Sequence, residues 1–403
     1  MKTHLIVSLL LFTTSAVSVY SQTSINDQLK PYVEVLKTQG KDPLEFVTGK
    51  LREYDLLIFD DALHTAAEPF DFYRELIKTD SFYNKVKYIF LEAVSLNKQQ
   101  YLDAYLESDI ENTELLYPAF QDNFSGTGWS YKTYFDLLHT VYLINKNLPV
   151  ENRLEVFGVS NPTYWSEIKT PKDFELFQKT LTTHDFFMYK TILQELNNFK
   201  NGRKGIFLTN TRHAYKQIKN RDDELYWNCG TFFYQWHPGK TYSIHFHNVY
   251  LYFEMKEELL IKWDRIANGI WDSAFRENGD KPVAVPLKNN VFGKEAYIGN
   301  HMLNVLSGQA MYDAYDAVIF LKPLEDMHKT AKVDFIYTQE FKKELKRRYK
   351  LIFSDEQIAK ELNDYDAGNL EELIEKEFVR EPRVPLPQAE TICEIDAWKS
   401  FGK

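Results

Sequence analysis

The residues best able to move protons stand at the ends of short apolar runs. Asp55-Leu56-Leu57-Ile58-Phe59-Asp60 is followed by Asp61 and His64, and Val86-Lys87-Tyr88-Ile89-Phe90-Leu91 by Glu92. Leu154-Glu155-Val156-Phe157-Gly158-Val159 leads to Ser160 and Asn161, and Gly205-Ile206-Phe207-Leu208-Thr209 to Asn210, Arg212 and His213. A carboxylate beside an imidazole holds one tautomer and raises its basicity, which is what activation of water requires. His64 and Glu68 are four positions apart, a spacing that puts two Cβ atoms about 5–6 Å apart on a helix. Pro69 allows a second arrangement, in which a helix starts at the proline and His64 lies in the turn before it. Arg74, further along, is suited to orient a carboxylate or stabilise an oxyanion. His64 with Glu92 and His213 also has the residue types of a divalent-metal site.

Other candidates are weaker. His245 and His247 share one face of a strand and could chelate, but no acid is near them in sequence, so packing or exposure is expected. His139, His184, His237, His301 and His328 lie in no supporting pattern. Gly126-Thr127-Gly128 is too short to cradle a phosphate and does not join a strand to a helix. The chain has no G-x-S-x-G elbow, P-loop, H-E-x-x-H or dinucleotide fingerprint, which argues against a serine hydrolase of the usual α/β kind.

The elements that must position these residues alternate. Near-continuous apolar strands are followed by longer amphipathic stretches, over 62–78, from about 97, and over about 172–200. This pattern predicts an α/β fold with a largely parallel sheet flanked by helices on both faces, with helical insertions. Residues 241–247 and 317–321 read as further strands, residues 351–380 as one or two peripheral helices, and the remainder as an extended tail. The expected organisation is a leader over 1–21, an α/β domain over 22–350 and a peripheral helical segment with tail over 351–403. In parallel α/β sheets, ligands bind beyond the carboxyl ends of the strands. That is where the acids and histidines fall.

Taken together, these segments resemble the motifs of erythromycin-esterase-like proteins. Phe59-Asp60-Asp61-Ala62-Leu63-His64-Thr65-Ala66-Ala67-Glu68, with Arg74 beyond, is similar to a strand followed by Gly-Glu, two residues, His, and a Glu four further on. Tyr88-Ile89-Phe90-Leu91-Glu92 resembles the second motif, and Arg153 to Val159 the third strand. Gly205 to Ala214 resembles a strand ending in Gly-Asn-x-His-Ala, with one extra residue before the histidine. The chain departs at Asp60-Asp61, at Thr65 and at Thr209, where the family has Gly-Glu, Gly and Gly. The resemblance extends more loosely to ChaN-like haem-binding proteins and TIKI-type metalloproteases. It implies a catalytic set of His64, Glu68, Arg74, Glu92, His213 and Asp61, with His64 as general base.

The expected activity is hydrolysis of an ester or related bond of a small molecule by activated water. The rival expectations are a noncatalytic haem or small-ligand binder, with Tyr131 and Tyr164 among the available tyrosines, and a divalent-metal peptidase. Haem and a divalent metal are therefore the cofactors to test. Lys2 followed by the short apolar run Leu5 to Phe12 and the small and polar residues up to Ser21 predicts a cleaved export signal, and hence a periplasmic or extracellular protein. The net charge of −10, with no basic stripe to offset it, argues against nucleic acid as a partner. Cys229 and Cys393 are too few and too far apart to form a disulfide framework.

Overall fold

The computed structural model describes residues 25–378, except 62–63, 65, 201, 256–258 and 300–304, together with 384–385. The expected leader, His301 and Cys393 lie outside these residues, and so does any pairing of Cys229 with Cys393. Among the described residues no helix is long and apolar enough to cross a membrane.

Among the described residues the strands of four or more residues are, in chain order, β1 (Leu56–Asp60), β2 (Tyr88–Ser95), β3 (Glu155–Ser160), β4 (Gly205–Thr209), β5 (Thr241–Phe246), β6 (Tyr250–Met255), β7 (Leu259–Asp264), β8 (Val283–Pro286) and β9 (Ala317–Phe320), and the two-residue strands His328–Lys329 and Val384–Pro385 pair antiparallel with each other. Seven of them form one sheet in the order β3-β2-β4-β1-β5-β9-β8. All neighbours in it are parallel except β8, which runs antiparallel to β9 at the edge. β6 and β7 form a separate antiparallel hairpin. The fold is the largely parallel α/β sheet that the alternation of runs predicts.

The strands read as continuous apolar runs because both faces are covered. On β1, Leu57 and Phe59 enter one core with Phe70, Tyr73, Leu137 and Leu138, from the helices Ala67–Ile77 and Lys132–Lys146. Leu56 and Ile58 enter the opposite core with Tyr32, Ile192, Phe233 and Trp271, from the helices Ile25–Gln39, His184–Glu195, Cys229–Trp236 and Ile270–Glu277. Each such side chain, taken fully out of water, contributes about 1.5–3 kcal/mol. The strand order makes β2, β4 and β1 neighbours, so the carboxyl ends that carry Glu92, Asn210 and Asp61 are adjacent.

β2 differs from its expected form. It does not end at Leu91 but runs on to Ser95, so Glu92 lies within the strand. Its register with β3 shifts there, because Leu91 pairs with Gly158 and Ser95 with Ser160. The four steps on β2 against two on β3 make an irregularity that takes Glu92 out of the regular ladder. Gly158 lets the bulged strand come close: a Cβ there would stand 2.7 Å from Val94 Cγ1 and 2.8 Å from the Val94 carbonyl oxygen. Replacing Gly158 by Val is expected to lower stability by about 1–3 kcal/mol through overpacking. A urea midpoint unchanged from the parent would show that the close approach does not constrain the strand.

Candidate active site

Asp60 and Asp61 are consecutive and both fully buried, but they face different tasks. Asp60 closes β1, in register with His245 on the neighbouring β5. Its carboxylate accepts hydrogen bonds from His245 Nδ1 at 2.8 Å, Tyr315 Oη at 2.6 Å and Thr211 Oγ1 at 2.8 Å. Burial alone would raise its pKa; the charge of His245, helped by these hydrogen bonds, holds it below the usual value. His245 is thus a packed strand histidine whose acid comes from the adjacent strand. His247 is likewise buried, 3.2 Å from Asp272.

Asp61, one residue beyond the strand, turns to His64. It accepts the His64 backbone N–H at 3.0 Å and the Nδ1–H at 3.2 Å, and the Tyr134 hydroxyl lies 3.2 Å from the same ring nitrogen. His64 has φ +55°, left-handed backbone that a histidine rarely adopts and that costs of order 1–3 kcal/mol. The Asp61 carboxylate, bonded at both ends of the residue, is what offsets this. Trp129 covers the ring edge-on, with centroids 5.2 Å apart.

On the other side of His64, Nε2 stands 3.4 Å from Glu92 Oε2, at ion-pair distance without a directed hydrogen bond. The second oxygen of Glu92 is 3.3 Å from His213 Nε2, and His213 Nδ1 donates to Asp185 at 2.7 Å. Asp185 in turn accepts the Cys229 backbone N–H at 2.8 Å. The result is one alternating row, Asp61–His64–Glu92–His213–Asp185. Glu92 Oε2 also accepts from Thr209 Oγ1 and from the Asn210 backbone N–H, groups at the end of β4, and Ser160 Oγ bonds the Glu92 carbonyl.

The charges follow from this order. Burial opposes an imidazolium at His64, but Asp61 and then Glu92 outweigh it and raise its pKa to about 10. At His213 burial is outweighed by Asp185 and Glu92, with the same result of about 10. Burial would push Glu92 up, yet the two histidines hold it well below the carboxylate range. At Asp61 burial prevails over His64 and pushes the carboxyl up. His184 behaves differently: burial, and then the neighbouring His213, push it down to about 4. Its Nδ1 donates to Asn161 Oδ1 at 3.0 Å, and its ring meets that of His213 edge-on at 5.5 Å.

The expected residues therefore divide. His64, Asp61, Glu92 and His213 come together. Glu68 is buried at the start of the helix Ala67–Ile77, with its carboxylate on His328 N and Nδ1, each at 3.0 Å, and on Lys322 at 2.7 Å. Arg74 is paired with Asp71 on its own helix. The His64–Glu68 helical pair is not formed, because the helix starts at Ala67 and His64 lies in the turn before it. Tyr131 packs edge-on against Trp129, and Tyr164 is 58% exposed. No sequence motif marks Asp185, Tyr134 or Trp129, and His184 lies in no supporting pattern; the one signal, for His184 and Asp185, is that they stand in the helical stretch over about 172–200.

No family model matches the chain, and no curated protein does. Solved structures do. A Bacillus cereus protein is 13% identical, covering 75% of this chain and 98% of its own, with a TM-score of 0.52. A succinoglycan biosynthesis protein is 10% identical over 73% of this chain and 97% of its own, also at 0.52. A mutant erythromycin esterase in its open conformation is 11% identical over 70% of this chain and 93% of its own, with a TM-score of 0.49. For the first two, at these identities, the likeness is one of fold.

The division of the acid pair has a measurable consequence. Replacing Asp60 by Ala removes an acceptor shared by three buried donors and is expected to cost about 3–5 kcal/mol of stability. Chemical denaturation checks it, and a loss below about 1 kcal/mol, the level of an ordinary exposed pair, would contradict the structural role.

Proposed function

We propose that the crevice beyond β1, β2 and β4 is the active site of a hydrolase that cleaves an ester or related bond of a small molecule with water. The observation that carries this reading is the buried row Asp61–His64–Glu92–His213–Asp185, in which every imidazole lies between two carboxylates. Rows of this kind hold proton positions and ring orientations fixed, so little reorganisation is needed when charge develops. The motif resemblance supports Asp61, His64, Glu92 and His213 of this row.

In this reading His64 is the group that moves the proton. Asp61 fixes its ring through Nδ1 and leaves Nε2 as the reactive nitrogen, beside Glu92. Held as the cation at rest, His64 stabilises negative charge on the attacked oxygen. Water adds to the carbonyl carbon and gives its proton to the Glu92 carboxylate. The C–O bond to the leaving group breaks as His64 Nε2–H protonates it, and the proton on Glu92 then returns to His64. Glu92 and His213 position the water and balance the charge. Glu68 and Arg74 act in this account by holding the surrounding helix and the 322–328 segment, and make no contact with the reacting atoms.

The test is turnover on a panel of aryl esters and lactones. The parent protein should hydrolyse at least one class, and His64→Ala, shown by circular dichroism to remain folded, should lower kcat on it by about 10²–10⁴-fold. Parent-like turnover by a folded His64→Ala protein would overturn the assignment.

A further inference from the structure

The hydrolytic reading leaves one buried histidine of the crevice without a task. His184 is 8% exposed, sits at the first position of its helix and meets the His213 ring edge-on. Among the described residues no carboxylate forms an ion pair with it. One donor atom each from Glu92, His184 and His213 lie within 4.8 Å of one another.

We propose that Glu92, His184 and His213 bind one divalent transition-metal ion of the zinc class. Both imidazoles are oriented for it. His213 Nδ1 donates to the Asp185 carboxylate at 2.7 Å, and His184 Nδ1 donates to Asn161 Oδ1 at 3.0 Å. Oxygen acceptors on Nδ1 turn Nε2 of each ring to the site, the outer-shell arrangement that metal-binding histidines use, and an ion bound there displaces the proton that His213 carries on Nε2. Glu92 is divided in the same way. Its Oε2 takes Thr209 and the Asn210 N–H, whereas Oε1 faces His213.

The spacing suits a small cation. Bonds of about 2.0–2.1 Å in a tetrahedral zinc site separate neighbouring ligand atoms by about 3.3 Å. Glu92 Oε1 and His213 Nε2 stand 3.3 Å apart. His184 needs to close by no more than about 1.5 Å to complete that geometry, within the reach of a small side-chain rotation. Two imidazoles and one carboxylate leave a fourth position open, the donor set of a catalytic rather than a closed structural site. A bound ion would supply a Lewis acid and a water of lowered pKa. The ligand set differs from the one suggested by sequence, with His184 in place of His64, whose ring is turned to Asp61 and to the other oxygen of Glu92.

Metal binding is measured without substrate, so this inference and the hydrolytic one can fail separately. The full chain, stripped with chelator, is titrated with Zn²⁺ by calorimetry. One Zn²⁺ should bind per chain; His184→Ala should weaken it by about 100-fold or more, and Asn161→Ala, which frees Nδ1, by about 10-fold. No Zn²⁺ uptake by the parent chain would overturn the proposal, and so would parent-like affinity in His184→Ala. If circular dichroism shows His184→Ala unfolded, Asn161→Ala decides, and unchanged affinity there overturns it.

Discussion

A carboxylate carried into the middle of a sheet loses several kcal/mol of hydration, and folding tolerates it only when charges and donors surround it. Glu92 is 1% exposed on a strand buried along its whole length. The structure meets that cost from three directions. β4 brings a hydroxyl and a backbone N–H to one oxygen, the turn after β1 brings His64, and the short helix after β4 brings His213. Each histidine is then a buried cation in need of a second partner, which Asp61 and Asp185 supply. The row grows outward from one charge.

Several local irregularities become intelligible from that constraint. The register shift in β2 is where a regular strand gives way at Glu92, which ion-pairs with both histidines. The left-handed backbone at His64 turns its ring back over the strand end instead of continuing into the helix. Asp185 ties the helix Cys229–Trp236 to the row through the Cys229 N–H, so elements far apart in sequence share one electrostatic unit. Strained backbone and a row of buried charges fall at the same place, a coincidence that is common at functional sites.

Much of this was legible in the sequence. Apolar runs such as Leu56 to Phe59 and Ile206 to Leu208 report strands covered on both faces, and the acids and histidines just after them report the crevice. The parallel neighbours β2, β4 and β1 then bring Glu92, His213 and His64 together. What spacing could not give was which acid serves which base. The four-residue interval of His64 and Glu68 suggested a helical pair, but the helix begins after His64, and Asp61, three residues earlier, takes the ring. Glu92 looked like a strand terminus because the apolar run stops there; the bulge that carries it is set by Gly158 on another strand. The parts of Asp185 and His184 depend on partners far away in sequence, His213, Cys229 and Asn161, which no local pattern records.

The account rests on the negative charge of Glu92 rather than on its shape, and Glu92→Gln separates the two. The decisive measurement is kcat/KM of this variant on the best ester of the parent protein, made alongside a crystal structure showing the side chain in place. The account predicts a loss of about 10²–10³-fold, the scale of removing one preorganised electrostatic group. Parent-like turnover from a Glu92→Gln protein of unchanged structure would contradict it.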